Sequence, residues 1–142
     1  NEGEASEAMI PLLERYAEAR PVDDMPHRQL ARLYLGSRSA ERAIPHLEYL
    51  AEREVNSDAY AIELAKRYAD MGRWADATAK AGRATTIAPY DPSNRELAAR
   101  VAISRRDLDT AERHLRALTV LEPNQTRHQT RLEALEALRA GG

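Results

Sequence analysis

Residues Asp58–Asp91 read DAYAIELAKRYADMGRWADATAKAGRATTIAPYD, and this stretch decides the fold. Leu64, Ala65 and Tyr68 lie on one helical stripe, and Ala77, Ala81, Ala84 and Thr85 lie on a second. Between the stripes comes Met71-Gly72-Arg73, where Gly72 fits the left-handed residue that ends a helix. Pro89-Tyr90-Asp91-Pro92 then stops the second helix and opens the next. The stretch predicts a helix–turn–helix hairpin of 34 residues.

Working outward, the same hairpin recurs. Glu7, Ile10, Pro11, Leu13, Glu14, Ala17 and Glu18 return as Glu41, Ile44, Pro45, Leu47, Glu48, Ala51 and Glu52, each 34 residues on. Ala43, Ala77 and Ala111 keep that interval, as do Val55, Pro89 and Pro123. Leu30 with Leu64, Tyr34 with Tyr68, and Ala31 with Ala65 and Ala99 fall on the same grid. A fixed period of this length is the mark of stacked supersecondary units. Composition agrees: 26 alanines and 16 leucines against four valines favour helices throughout.

The pattern resembles the tetratricopeptide repeat (TPR). Leu64, Ala65, Tyr68, Gly72, Trp74, Ala77, Ala84 and Pro89 match the family's spacing, with Asp58 as first position. The first repeat keeps Leu30, Ala31, Tyr34, Ala43 and Leu47, with Val55 where the family has Pro. The third keeps Ala99, Ala111, Leu115 and Pro123, with Ala102 at the aromatic place and Arg106 at the Gly place. The resemblance implies an all-α fold, a right-handed α-solenoid of about eight helices. It divides residues 1–142 into an orphan second helix (4–20), repeats at 24–57, 58–91 and 92–125, and a C-terminal capping helix (126–140). Breaks are expected near 21–23, 37–39, 55–57, 72–73, 89–91, 105–107 and 122–125.

The two ends have different characters. Met9, Leu13 and Tyr16 take the core places of the orphan helix, with Ile10 and Leu12 as its exposed apolar neighbours. Apolar surface uncovered at a solenoid end invites pairing with a second copy, so a homodimer through these five residues is expected. The capping helix sets Leu132, Leu135 and Leu138 on one face and Arg127, Gln129, Arg131, Glu133, Glu136 and Arg139 on the other. Opening on Asn1 and on half a repeat, the chain reads as a piece of a longer protein. Nineteen arginines against two lysines suggest a GC-rich bacterial source.

Several classes of function are disfavoured. A net charge of −2 gives no bulk attraction to nucleic acid. No apolar run approaches the ~18 residues of a membrane span. With no cysteine there is no thiol nucleophile, thiolate metal site or disulfide, and the composition suits any compartment. No phosphate loop, nucleophile elbow, zinc-protease or dinucleotide motif is present. The sequence therefore predicts no catalytic residue, cofactor or metal. His27, His46, His114 and His128 read as separate surface residues, and Trp74 reads as core.

What remains is a surface. In the family, first helices line the concave face, and peptide-facing positions map here to Arg28, Gln29 and Arg32, to Glu63, Lys66 and Asp70, and to Glu96 and Arg100. Arg32, Lys66 and Arg100 share one repeat position, a cationic row suited to an acidic or C-terminal peptide. Alternatively Glu63, Asp70 and Glu96 could absorb the row in local ion pairs. The family's clamp for chaperone tails would need other residues at the places held by Arg28, Arg32, Glu63, Ser93 and Leu97, so that activity is not expected. The expectation is a protein–protein interaction module, with a structural or self-associating segment as the rival.

Three features break the pattern. Gly82 interrupts a second helix and suggests a close helix approach. Arg53 stands where Ile87 and Leu121 stand in the other repeats, suggesting a looser hairpin end. Pro11 and Pro45 recur near the start of second helices, where a lost N–H is tolerable.

Overall fold

The computed structural model describes residues 2–141. Its helices are α1 (Glu2–Ala19), α2 (Asp24–Leu35), α3 (Ile44–Arg53), α4 (Ala59–Asp70), α5 (Trp74–Ile87), α6 (Pro92–Arg105), α7 (Leu108–Leu121) and α8 (Thr126–Gly141). Among the described residues there is no strand. Each helix packs chiefly on its neighbours in sequence, so the hairpins stack as an open solenoid and not as a closed bundle.

Local chemistry sets the helix ends. Asp23 and Asp91 cap α2 and α6, accepting hydrogen bonds from the backbone N–H of Met25 at 3.0 Å and of Ser93 at 2.9 Å. Gly72 ends the turn after α4 with φ 73°, and Arg106 adopts φ 63° at the equivalent place after α6. Both turns close alike: Arg73 N–H donates to the Tyr68 carbonyl at 2.9 Å, and Asp107 N–H to that of Ala102 at 2.8 Å. A side chain in that left-handed conformation costs about 1 kcal/mol that glycine avoids. The first hairpin departs from this plan. Gly36 stays right-handed at φ −83°, and a 3-10 turn over Ala40–Ala43 leads into α3, with Pro45 in its first turn. Pro11 lies inside α1, because that helix begins further upstream.

The core follows the grid. Leu30, Leu64, Leu50 and Leu118 are fully buried, and so are Ala43, Ala77 and Ala111 at one equivalent place in each hairpin. Alanine there lets paired helices approach closely. One apolar cluster runs from Leu13 to Val101, and a second joins Ala99, Ala111, Leu115, Leu118, Leu132 and Leu135.

A polar clasp repeats between hairpins. The Tyr34 hydroxyl donates to Glu14 at 2.7 Å, and the Tyr68 hydroxyl donates to Glu48 at 2.7 Å. His46 stands 3.3 Å from Glu14, and at the equivalent place Lys80 donates to Glu48 at 2.8 Å. At the third junction the same grid positions hold Gly82, Ala102 and His114, so acceptor and hydroxyl are lost together. This accounts for Gly82 as the missing half of a clasp. Close helix approach does not: a Cβ built there meets nothing within 4 Å. Arg53 also corrects its expectation, since its Nε pairs with Asp24 at 3.0 Å and its guanidinium lies over the Tyr49 ring. The hairpin end is tied, not loose.

Helix α1 covers α2 with Leu13 and Ala17, and Tyr16 donates to Asp23 at 3.3 Å. Met9 and Ile10 exchange their expected roles. Met9 is 48% exposed, whereas Ile10 packs against the core. Leu12 is exposed, as expected.

Candidate peptide-binding groove

The first helices α4 and α6, with α8 beyond them, wall a hollow of about 1050 Å³. Leu97 and Leu135 lie buried beneath it, and Ile62, Ile103 and Leu138 face it. Lys66, Arg100, Arg106 and Arg131 supply its positive charge, and Glu96 supplies a carboxylate. A smaller hollow of about 480 Å³ shares Lys66 and Arg100 and adds Asp70 and the half-buried Trp74. Thus Lys66, Asp70, Glu96 and Arg100 come together, while Arg28, Gln29, Arg32 and Glu63 line neither hollow.

Asp70 and Glu96 are paired with cations outside the row. Asp70 pairs with Arg67 at 3.5 Å, and Glu96 pairs with Arg127 at 2.5 Å. Arg28 is held by Glu54 at 2.8 Å, an exposed pair that raises its pKa further and lowers that of Glu54. Among the described residues no ion pair engages Arg32, Lys66 or Arg100. Glu63 pairs with none of them either. Sequence reasoning left Arg106, Arg131 and Leu138 out of the groove. The signal for Arg106 was an arginine at the glycine place; the polar face of α8 reads in sequence only as a cap.

The histidines are not separate surface residues. His46 and His128 are buried, and His27 and His46 meet through their Nδ1 atoms at 2.9 Å. Sequence distance concealed this, because α2 and α3 of one hairpin bring residues 19 apart together. His27 also stacks on Tyr49 at 3.8 Å; burial and then the His46 charge lower its pKa. His114, beside Arg95 at 3.2 Å, is pushed down to about 4 by burial, with the arginine charge adding to it. His128 Nε2 lies 2.8 Å from Glu122 and 3.7 Å from Glu96. These three could offer ligands to a cation. The Arg127 guanidinium, within 3.8 Å of Glu122 as well as on Glu96, already supplies positive charge there.

Solved structures share this architecture. MamA superimposes with a TM-score of 0.76 at 14% identity, over 95% of this chain and 79% of MamA. YrrB, described as a TPR protein with an unusual peptide-binding site, gives 0.70 at 14% identity over 92% of this chain and 67% of its own. TTC0263, a thermophilic TPR protein of Thermus thermophilus, gives 0.54 at 17% identity over 93% and 91%. No protein-family model and no curated protein matches the chain. The fold is TPR-like, an all-α solenoid of stacked hairpins.

Proposed function

We propose that the chain is a non-enzymatic protein–protein interaction module whose concave face holds a peptide segment of a partner, with acidic groups of that segment on Arg32, Lys66 and Arg100. One observation carries this reading: among the described residues the row makes no ion pair, while its acidic neighbours Asp70 and Glu96 pair with Arg67 and Arg127. Local pairing with Glu63, Asp70 and Glu96 is the plainer alternative, and Asp70 and Glu96 turn to other cations instead. YrrB supports the reading by analogy of fold alone, as a protein described by its peptide-binding site.

The test is the triple reversal Arg32→Glu/Lys66→Glu/Arg100→Glu. Partners captured by the wild-type chain should be lost by the variant, and its melting temperature should stay nearly unchanged, because among the described residues the three side chains make no ion pair for the reversal to break. A destabilised variant that still captures the same partners would sink the reading.

A second reading is self-association through α1, where Met9 is 48% and Leu12 60% exposed. On this reading residues Met9, Ile10, Leu12, Leu13 and Tyr16 form or support the contact, and the array serves as a structural segment.

A further inference from the structure

The hollow walled by α4, α6 and α8 combines exposed aliphatic side chains with cations that make no ion pair. Its surface leaves large aliphatic side chains wet, with Ile103 45% and Leu138 62% exposed. Around them stand Lys66, Arg100, Arg106 and Arg131, and none of these four cations forms an ion pair among the described residues. Glu96, the carboxylate on the wall, is neutralised by Arg127. The result is a positive rim around an apolar centre, in a chain whose net charge is −2.

Arg106 adds an independent observation. It holds φ 63° where the preceding repeat has Gly72 at φ 73°. Glycine adopts that conformation without strain and arginine does not. Strain kept at the rim of a groove points to a use for the side chain. What arginine has and glycine lacks is an exposed guanidinium, free of ion pairs, at the hollow.

We propose that this C-terminal hollow docks an acidic amphipathic peptide, with its aliphatic side chains on Ile103 and Leu138 and its carboxylates on Lys66, Arg100, Arg106 and Arg131. The proposal rests on the concave-face reading above and narrows it to one half of the face and one ligand chemistry. Charge complementarity selects the occupant. A purely acidic peptide leaves the aliphatic side chains in water, and a purely apolar one shuts four like charges into a drier site. An acidic amphipathic segment relieves both, and arginine can bind its carboxylates bidentately. A hollow of about 1050 Å³ lies just above the ~300–1,000 Å³ usual for small-ligand sites, which suits a short peptide segment.

The test uses three fluorescein-labelled peptides and fluorescence anisotropy. The first carries Leu at helical spacing with Glu between; the second is its scrambled isomer; the third has Lys for every Glu. The first should bind the wild-type chain and weaken with salt. The other two should bind at least about tenfold more weakly. Arg100→Glu/Arg131→Glu should reduce affinity for the first by about tenfold or more. Arg106→Gly should raise the melting temperature and yet lower that affinity severalfold, a split that a purely structural role for Arg106 does not produce. Equal binding of the scrambled isomer or of the Lys peptide overturns the proposal, as does an Arg106→Gly variant with unchanged affinity. If none of the peptides binds while a captured partner is lost on Arg32→Glu, this inference falls and the concave-face reading survives. If capture is also indifferent to the triple reversal, both fall.

Discussion

Replacing Tyr68 by Phe removes one hydroxyl and leaves the ring in place. That hydroxyl donates to Glu48 at 2.7 Å, and Lys80 donates to the other oxygen of the same carboxylate at 2.8 Å. A hydrogen bond to a charged acceptor contributes roughly 1.5–3 kcal/mol. The Glu48 side chain is 32% exposed, so water replaces part of the lost bond. The expected cost is therefore about 1.5 kcal/mol, at the lower end of that range. For a chain of this length such a loss lowers the melting temperature by about 3–5 °C. The assay is a double-mutant cycle in urea with Tyr68→Phe, Glu48→Ala and the pair. The coupling between them should be about 1 kcal/mol. Coupling indistinguishable from zero would refute the claim that the clasp joins the hairpins. Base provides a second check. Burial first and then Glu48 push the Tyr68 pKa up from 10.0 to about 12. A raised pKa gives stability that is fully present below pH 10 and is lost as the pH rises through about 12. Tyr68→Phe should remove that part of the alkaline loss.

Three further outcomes follow from the same geometry. Gly82→Ala adds a methyl group into open space within a helix and should stabilise the chain by about 0.5–1 kcal/mol, read from the urea midpoint; a destabilised variant would restore the close-approach explanation. His114, lowered from 6.5 to about 4, is protonated first in the unfolded chain, so stability should fall as the pH drops through that window; His114→Gln should flatten the slope there, and an unchanged slope would contradict it. Leu12→Glu should convert any concentration-dependent dimer to monomer by sedimentation; a wild-type chain monomeric at every concentration argues against the α1 contact.

The architecture was readable because the 34-residue grid states each helix several times over. A weak signal at one place, such as Arg106 for glycine, is corrected by its equivalent at Gly72. The 3-10 turn before α3 was not readable, since Ala40–Ala43 carries no breaker and no side-chain cap. The clasps were on the grid in plain sight as Glu14, Glu48 and Gly82 against Tyr34, Tyr68 and Ala102. Linking the two columns, however, needs the packing of one hairpin on the next. The His27–His46 contact escaped because it needs the packing of α2 on α3 within one hairpin. At the candidate site, the family positions led to Lys66 and Arg100. They could not say whether Glu63, Asp70 or Glu96 would quench them, because that depends on rotamers and on the competing cations Arg67 and Arg127. Arg131 and Leu138 read as parts of a cap, because a polar outer face and a groove wall share one amphipathic helix.

The central claim is that the concave face carries the activity. Hydrogen exchange on the full chain, with and without a captured partner, tests it most directly. Protection should rise in α2, α4 and α6, the first helices that carry Arg32, Lys66 and Arg100. Protection confined to the second helices α3, α5 and α7, or to α1, would contradict the account.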